Sequence, residues 1–243
     1  MKTIKGIWRF SRVICYTFVC LFQAYTRFKR VDRKEKGRML RYYPTQVLKL
    51  AGVRCSYEGN VPELLHECGL TDTPPAYMVL SNHISWLDIF SLDSQLPSRF
   101  IAKAEIAKWP VFGLIAQQIG TLFINRSSKR AILRINDDIR GALCNCEAVT
   151  IFAEGTTTFG NELLPIKANF IAPACEIGAT VQPVILSYKN KGKPTKRAAF
   201  AGDVTLFGSL WNVVTMEDAE VVVHFLEPVS YTHLRAHETR RHL

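Results

Sequence analysis

The stretch AYMVLSNHISWLDIF, residues 76–90, places a short apolar run directly before a polar turn that holds His83 and Asp88. The run follows two prolines, and its length and composition predict a buried β-strand over residues 76–82. A helix is predicted to begin at Ser85. His83 is therefore expected at the carboxyl end of a strand, where open α/β sheets place their binding and catalytic groups.

The same alternation of strands and helices continues outward from this stretch. Further strands are predicted at RFIAK (99–103), TLFIN (121–125), AVTIFA (148–153), TVQPVILSY (180–188), AAFAGD (198–203) and AEVVVHF (219–225). Helices are predicted from Pro110 to Gly120, over ILRINDDIRGAL (132–143), over residues 168–178 with an interruption at Pro173, and over LFGSLWNVV (206–214). The pattern predicts one α/β domain with a mostly parallel central sheet flanked by helices, and 243 residues suffice for its core.

The charge of the chain is concentrated at its N-terminus. The formal net charge is +10, and residues 1–41 alone hold twelve Lys or Arg against two acids. The rest of the chain is close to neutral, so the positive charge lies on one segment and is not spread over the whole surface. A segment of this kind favours an anionic partner, either a membrane surface or a nucleic acid.

This N-terminal segment also has the pattern of a membrane-active helix. A stripe of cations comes first, at helical spacing: Lys2, Lys5, Arg9 and Arg12. The fourteen uncharged residues 13–26 follow, and as a helix they would reach about 21 Å, short of the ~30 Å hydrocarbon core. We expect residues 1–41 to anchor the protein in the membrane interface, with the cations facing anionic headgroups and Ile4, Ile7 and Trp8 lying outside the cation stripe.

Three other interpretations of the N-terminus are weaker. A short, tilted transmembrane helix ranks second. A secretory signal peptide is disfavoured because residues 22–28, FQAYTRF, offer no small-residue cleavage site. A nucleic-acid-binding arm would seldom be so hydrophobic, so we expect no nucleic-acid partner. These arguments predict a monotopic or single-pass protein on the cytoplasmic face of a membrane, the inner membrane in a bacterium.

The cysteines predict a reduced environment. There are seven of them, an odd number, and none forms a C-x-x-C pair. This usage is typical of a chain on the cytoplasmic side and does not favour a zinc site. We therefore expect no metal.

The spacing of His83 and Asp88 supports two interpretations. In one, Ser85 and Asp88 form an S-x-x-D capping box, and His83 is an ordinary residue at a strand end. In the other, the turn brings the two side chains together, so that Asp88 binds one imidazole nitrogen and the other nitrogen acts as a general base. The sequence contains neither G-x-S-x-G nor H-E-x-x-H, which disfavours a serine or zinc hydrolase and leaves a base that activates a substrate hydroxyl.

NHISWLD, residues 82–88, resembles the first motif, N-H-x-S-x-x-D, of the PlsC-like 1-acyl-sn-glycerol-3-phosphate acyltransferase (lysophospholipid acyltransferase) family. Residues 100–126, 152–160 and 181–188 resemble the next three motifs, in the family's order. In the second motif the matching positions are Lys103, Glu105, Pro110, Gly113, Gly120 and Arg126.

The resemblance implies transfer of an acyl group from acyl-CoA or acyl carrier protein to the free hydroxyl of a lysophospholipid, with no further cofactor. His83 would deprotonate that hydroxyl and Asp88 would orient the imidazole, without a covalent acyl-enzyme. Lys103 and Arg126 match positions linked to the acceptor's phosphate, a role for which cationic side chains are suited.

The third motif implies further contacts with the acceptor. Glu154, Gly155 and Thr156 match its E-G-T, a sequence linked to acceptor binding and to the architecture of the site. Two positions depart from the family pattern: Ala153 replaces a common proline, and Thr157 replaces an arginine that many members carry. Losing that arginine removes one candidate phosphate contact.

The acceptor is therefore less certain than the reaction. Lysophosphatidic acid, converted to phosphatidic acid, is the leading acceptor. Lyso-ornithine lipid, which has no phosphate to hold, is the nearest alternative. A thioesterase or a non-catalytic membrane-binding relative is a further alternative of a different class.

The last residues of the chain have an unusual sequence. VSYTHLRAHET, residues 229–239, reads as the translation of a transposase-type sequencing adapter. We expect residues 229–243 to be an artefact and discount their histidines as a metal site. The predicted division is thus a membrane-anchoring segment at 1–41, an acyltransferase domain at 42–228 and the artefact.

Overall fold

A mixed sheet forms the centre of the computed structural model, which describes residues 2–61, 76–125 and 129–230. The predicted acceptor-binding residue Arg126 and residues 231–243 of the predicted artefact lie outside these described residues. Val229 of that predicted artefact lies in the sheet, paired with Val181.

The strands, in chain order, are β1 Val53–Gly59, β2 Met78–Ser81, β3 Arg99–Lys103, β4 Leu122–Ile124, β5 Val149–Phe152, β6 Thr180–Asn190, β7 Lys193–Pro194, β8 Ala219–Phe225 and β9 Val229–Ser230. Their order across the sheet is β1-β8-β6-β2-β5-β3-β4, and the short β7 and β9 also pair with β6. Strands β6, β2, β5, β3 and β4 are parallel to one another, and β8 is antiparallel to β6. The predicted α/β fold with a mostly parallel sheet is confirmed.

The helices are α1 Lys2–Gln23, α2 Arg33–Ala51, α3 Leu87–Asp93, α4 Phe112–Ile119, α5 Lys129–Cys144, α6 Ala172–Glu176 and α7 Leu206–Val214. A π-helical turn, Ala24–Phe28, extends α1. Short 3-10 turns occupy Ala104–Lys108 and Ala168–Phe170.

Both faces of the sheet are covered because its central strands are apolar on both sides. In β2, Met78 belongs to one buried cluster, together with Ile139 of α5. The next residue, Val79, belongs to the other, together with Leu48 of α2 and Leu92 of α3. This alternation follows from the opposite directions of successive side chains along a strand. Strand β2 thus lies inside the protein with its carboxyl end at one edge of the sheet.

Helix α2 joins the N-terminal segment to the sheet. It begins after Asp32, whose carboxylate accepts a hydrogen bond of 2.8 Å from the N–H of Glu35. It ends at Gly52, which adopts a left-handed conformation with φ of 75°. The helix is continuous across residues 41 and 42, where the sequence predicts a boundary, so the anchoring segment and the sheet domain share one helix.

The prediction of a strand at AAFAGD was wrong. Residues 198–203 form a loop in which Ala198 and Ala199 are buried against the core. Strand β6 already pairs with β2 on one side and with β8 on the other, so this segment finds no free strand edge there. Its apolar residues pack against the core as a loop instead.

Arg9 contradicts the predicted stripe of outward-facing cations. Its side chain is buried, and Nη1 donates hydrogen bonds of 3.2 Å to the carbonyl of Val214 and 2.9 Å to that of Met216. Carbonyls at the C-terminal end of a helix lack partners within the helix, and a cation is favourable there. The guanidinium also lies against Gly52, where an added Cβ would come within 2.1 Å of Cζ. Arg9 therefore attaches α1 to the end of α7 and does not face solvent.

The opposite face of α1 is exposed and apolar. Its exposed apolar side chains recur at helical spacing: Ile4, Ile7, Trp8, Phe18, Val19, Phe22 and Tyr25. Lys5 and Arg12 are exposed on the same helix. None of the helices in the described part of the chain has the length and apolar character needed to cross a bilayer.

Replacing Arg9 by Met retains much of the side-chain volume but leaves the carbonyls of Val214 and Met216 without this donor. We expect the free energy of unfolding to fall by roughly 1–3 kcal/mol. Lys5→Met, on the exposed face of the same helix, is the matched control and should change it by less than about 0.5 kcal/mol. Urea unfolding of both variants measures the difference, and equal losses would show that Arg9 has no structural role.

Candidate active site

The candidate site lies where β2 and β5 end side by side. The two strands are parallel, and Ser81 pairs with Phe152, so their carboxyl ends lie at the same level. His83 follows β2 and Glu154 follows β5, each two residues after its paired position. The strand register alone therefore brings the first and third motifs together at one edge of the sheet.

The turn after β2 brings His83 and Asp88 together as the second interpretation predicts. Nδ1 of the imidazole lies 2.7 Å from Oδ2 of Asp88. The Asp88 side chain is fully buried, whereas that of His83 is 19% exposed. Oδ2 also accepts hydrogen bonds of 2.7 Å from the N–H of Ile84 and 2.9 Å from that of Ser85. The contact with Ser85 is also the predicted capping contact, so one carboxylate starts α3 and holds the imidazole.

The imidazole of His83 lies flat on an aromatic ring. Its centroid is 3.8 Å from that of Phe152, and the two planes differ by 8°. This stack and the bond at Nδ1 fix the ring plane. Nε2 has no hydrogen-bond partner among the described residues, so it can accept a proton from a molecule that enters from solvent. Apart from its place in the third motif, no sequence pattern predicts this role for Phe152.

Glu154, predicted to contribute to acceptor binding and to the architecture of the site, lies against the turn that carries His83. It is buried, and its two oxygens accept hydrogen bonds of 3.0 Å from the backbone N–H groups of His83 and Leu164. A carboxylate held in this way is satisfied by the protein itself. Glu154 therefore positions the turn that carries His83, and its local sequence could not reveal this because His83 is 71 residues away.

The rest of the third motif closes over the same turn. Gly155 has a φ of 74°, a conformation that favours glycine, and it turns the chain after β5. The N–H of Thr158 donates a hydrogen bond of 2.9 Å to the carbonyl of His83, and Thr156 is exposed beside it. The backbone of His83 is thus held at both its N–H and its carbonyl.

The loop at residues 198–203, which was predicted to be a strand, also contacts this turn. The N–H of Phe200 donates a hydrogen bond of 2.8 Å to the carbonyl of Ile84. The carbonyl of Phe200 accepts a hydrogen bond from the hydroxyl of Thr157. The chain from residue 198 therefore packs on the site from outside the sheet.

The second motif places Lys103 at the end of β3, the strand next to β5. Lys103 is the last residue of β3, and it is exposed at the same carboxyl edge as His83. Gly113 is the second residue of α4, where a Cβ would lie 2.5 Å from the carbonyl oxygen of Ile106, so only glycine fits. The position of Lys103 suits contact with an anionic group of a molecule bound at this edge.

A separate cavity of about 340 Å³ lies at the opposite edge of the sheet. Its lining includes Lys29, Lys36, Arg99 and Glu147. Arg99 begins β3 and Glu147 precedes β5, so the cavity is at the amino ends of these strands, and Arg99 is paired with Glu147. The cavity is not part of the His83 site.

Comparison with known proteins agrees with this geometry. The family described as Acyltransferase matches residues 55–187, which is more than half of the chain. The chain belongs to the acyltransferase family. The matched residues include the turn of His83 and Asp88, the second and third motifs and most of β6.

Two curated members of the family are similar over part of their length. A 1-acyl-sn-glycerol-3-phosphate acyltransferase of Neisseria gonorrhoeae is 43% identical over 154 residues, 63% of this chain and 60% of that protein. A lyso-ornithine lipid O-acyltransferase of Pseudomonas aeruginosa is 39% identical over 150 residues, 62% of this chain and 58% of that protein. The alignments thus span about 60% of the length of these relatives.

A solved acyltransferase has the same fold. The crystal structure of the 1-acyl-sn-glycerophosphate (LPA) acyltransferase PlsC from Thermotoga maritima matches with a TM-score of 0.65 and 19% sequence identity. The match covers 96% of this chain and 88% of the other. The described α/β architecture is therefore that of a known acyltransferase structure.

The role of Glu154 can be tested by replacing it with Gln. The amide has one accepting oxygen, so it can accept from only one of the N–H groups of His83 and Leu164, and its NH₂ group would face the other. The link between the turn of His83 and the loop at Leu164 is then broken at one end. We expect turnover to fall about tenfold or more, with the KM for the acceptor changed less than about twofold, because the restraint is on His83 and not on the acceptor.

Glu162→Gln is the matched control, because Glu162 is exposed in the same loop. It should leave turnover unchanged. A Glu154→Gln enzyme with normal turnover and a raised KM would instead support the acceptor-binding role predicted from the sequence.

Proposed function

We propose that this acyltransferase moves an acyl group from an acyl thioester to the free hydroxyl of a lysophospholipid, with His83 as the general base. The observation that carries the proposal is the 2.7 Å contact between Nδ1 of the partly exposed His83 and the buried Asp88, which leaves Nε2 without a hydrogen-bond partner among the described residues. The donor is acyl-CoA or acyl carrier protein, and the reaction needs no further cofactor. A histidine held at one nitrogen by a buried carboxylate is suited to accept a proton from a hydroxyl at its other nitrogen.

The reaction can be followed atom by atom. Nε2 of His83 takes the proton of the acceptor hydroxyl as the oxygen attacks the thioester carbonyl carbon. The imidazolium that forms is stabilised by the Asp88 carboxylate at Nδ1. The carbon–sulfur bond then breaks, and the leaving thiolate takes the proton from Nε2. The ester is formed and His83 returns to its neutral form without a covalent acyl-enzyme.

Lysophosphatidic acid is the proposed acceptor. Lys103, exposed at the carboxyl end of β3, supplies a cation for its phosphate, and Arg126 is proposed for the same role from its position in the second motif. The Neisseria relative is named for this acceptor.

Lyso-ornithine lipid is the second candidate acceptor, and Thr157 favours it. Many relatives carry an arginine at this position, whereas the Thr157 hydroxyl donates to the carbonyl of Phe200 and so contributes to the loop. A site with fewer cations suits an acceptor that lacks a phosphate. The Pseudomonas relative is named for this acceptor.

His83→Ala tests the proposed chemistry. We expect turnover to fall by a factor of about 10² to 10⁴, because the variant lacks the base. The assay follows a labelled acyl group from acyl-CoA, and separately from acyl carrier protein, to lysophosphatidic acid and to lyso-ornithine lipid. His224→Ala is the matched control, because His224 also lies near a carboxylate, Glu58, but on the exposed surface of β8.

Several outcomes of this assay contradict parts of the proposal. Normal turnover by His83→Ala would exclude His83 as the base. Hydrolysis of the donor without transfer to either acceptor would indicate a thioesterase. Transfer to lyso-ornithine lipid alone, unaffected by Lys103→Ala, would replace lysophosphatidic acid as the acceptor.

We further propose that the exposed face of α1 lies in the membrane interface on the cytoplasmic side. Phe18 and Phe22 are more than half exposed, at 56% and 63%. Large apolar side chains aligned on one exposed helix face are typical of an interfacial helix, and the exposed cations Lys5 and Arg12 favour anionic lipid. Because the buried face of α1 packs on α2 and α7, docking of its exposed face would hold the domain at the lipid surface.

A double variant, Phe18→Ser with Phe22→Ser, tests this face while leaving the buried side of α1 intact. We expect its binding to vesicles that contain anionic phospholipid to weaken by roughly tenfold or more, because two aromatic rings no longer leave water. Sedimentation with vesicles measures the bound fraction. Leu133→Ser is the control, since Leu133 is 66% exposed on α5, and undiminished binding by the double variant would refute the assignment.

A further inference from the structure

Tyr188 is a buried tyrosine whose hydroxyl contacts the Asp88 carboxylate of the candidate site. It lies on β6, 100 residues after Asp88, and its Oη is 2.5 Å from Oδ1 of that carboxylate. Its side chain is 5% exposed. No motif of the sequence analysis assigns a role to this hydroxyl.

The position of Tyr188 is set by another residue of the first motif. Nδ2 of Asn82 donates a hydrogen bond of 3.0 Å to the carbonyl of Leu186, and the N–H of Leu186 donates one of 2.7 Å to Oδ1 of Asn82. This pair of bonds continues the β2–β6 pairing beyond Ser81 and Val184. Side chains two residues apart point to the same face of a strand, so Tyr188 follows Leu186 into the core under α3.

One oxygen of the Asp88 carboxylate, Oδ1, depends on the Tyr188 hydroxyl for its hydrogen bond. Oδ2 accepts from three donors, namely Nδ1 of His83 and the N–H groups of Ile84 and Ser85. Oδ1 accepts from Tyr188 and from no other group in the described part of the chain. A buried carboxylate with one oxygen unbonded is costly, and without this donor its anionic form loses stabilisation.

The hydroxyl is suited to act as a permanent donor. Burial, and then the neighbouring Asp88 carboxylate, raise the pKa of Tyr188 well above its ordinary value. The other titratable groups near it are His83, through Asp88, and Cys55 on β1, whose pKa burial also raises. None of these groups offers Oδ1 a substitute donor.

We propose that Tyr188 is a positioning residue for the catalytic pair: its hydroxyl holds the Asp88 carboxylate in place and in its anionic form, and so fixes the orientation of His83. The inference rests on the general-base role proposed for His83. It extends the pair to a chain of three side chains, His83, Asp88 and Tyr188, that links the turn after β2 to β6.

Tyr188→Phe removes only the hydroxyl and retains the ring in the core. We expect turnover with acyl-CoA and lysophosphatidic acid to fall about tenfold or more, with the KM for the acceptor changed less than about twofold. Without this donor the Asp88–His83 pair binds a proton more tightly, so the acidic limb of the kcat/KM profile should move to higher pH.

Tyr57→Phe is the matched control. Tyr57 is a partly buried tyrosine on β1 whose hydroxyl lies 2.5 Å from Oγ of Ser94, so its removal also breaks a short internal hydrogen bond without touching Asp88. It should lower stability as much as Tyr188→Phe does, while leaving turnover and the pH profile unchanged. Thermal unfolding of both variants shows whether the comparison is made on folded protein.

Three results would contradict the inference in whole or in part, and they are distinguishable. If His83→Ala is inactive but Tyr188→Phe matches Tyr57→Phe in turnover and pH profile, the hydroxyl has only a structural role and the base assignment survives. If His83→Ala retains normal turnover, the base assignment fails and the role of Tyr188 fails with it. A loss of turnover in Tyr188→Phe with an unmoved acidic limb would also exclude the proposed control of the anionic form.

Discussion

The carboxylate of Asp88 lies fully inside the protein, and its four hydrogen bonds connect three separate parts of the chain. They come from the ring of His83, the N–H groups of Ile84 and Ser85, and the hydroxyl of Tyr188. A buried charge is tolerated only when its hydrogen bonds are made, so the turn, α3 and β6 must keep their relative positions. The need to satisfy this carboxylate therefore holds the site together, and the same bonds hold the imidazole.

Glu154 provides a second restraint from the other side of β2. It bonds to the N–H of His83, while Thr158 bonds to the carbonyl of the same residue and Phe152 lies flat against the ring. The register of β2 and β5 places these contacts at the carboxyl edge of the sheet. His83 is thus restrained at its backbone, at Nδ1 and at its ring face, and Nε2 has no hydrogen-bond partner among the described residues. In the proposed general-base role, a side chain held in this way would need little reorganisation when an acceptor binds.

The sequence predicted the features that depend on local pattern. Short apolar runs, and the proline and glycine residues that bound them, were sufficient to predict most strands. The distance of five residues between His83 and Asp88 was sufficient to suggest the pair. Partners far apart in sequence were not predictable in this way. Arg9 bonds to carbonyls more than 200 residues away, and Tyr188 reaches Asp88 across 100 residues. Both contacts depend on how helices and strands assemble, and a helix such as α1 with two apolar faces gives no local sign of which face is buried.

If Asp88 holds His83 with Nε2 available as a base, the neutral imidazole carries its proton on Nδ1. Nitrogen NMR of the ¹⁵N-histidine-labelled protein reports which ring nitrogen carries the proton once the imidazole is neutral, and the His83 signals are identified by their absence in His83→Ala. We expect a proton on Nδ1, bonded to Asp88, and an unprotonated Nε2, with this preference lost in Asp88→Asn. A neutral ring with its proton on Nε2 in the unaltered protein would contradict it, because that nitrogen could not then accept the proton of the acceptor hydroxyl.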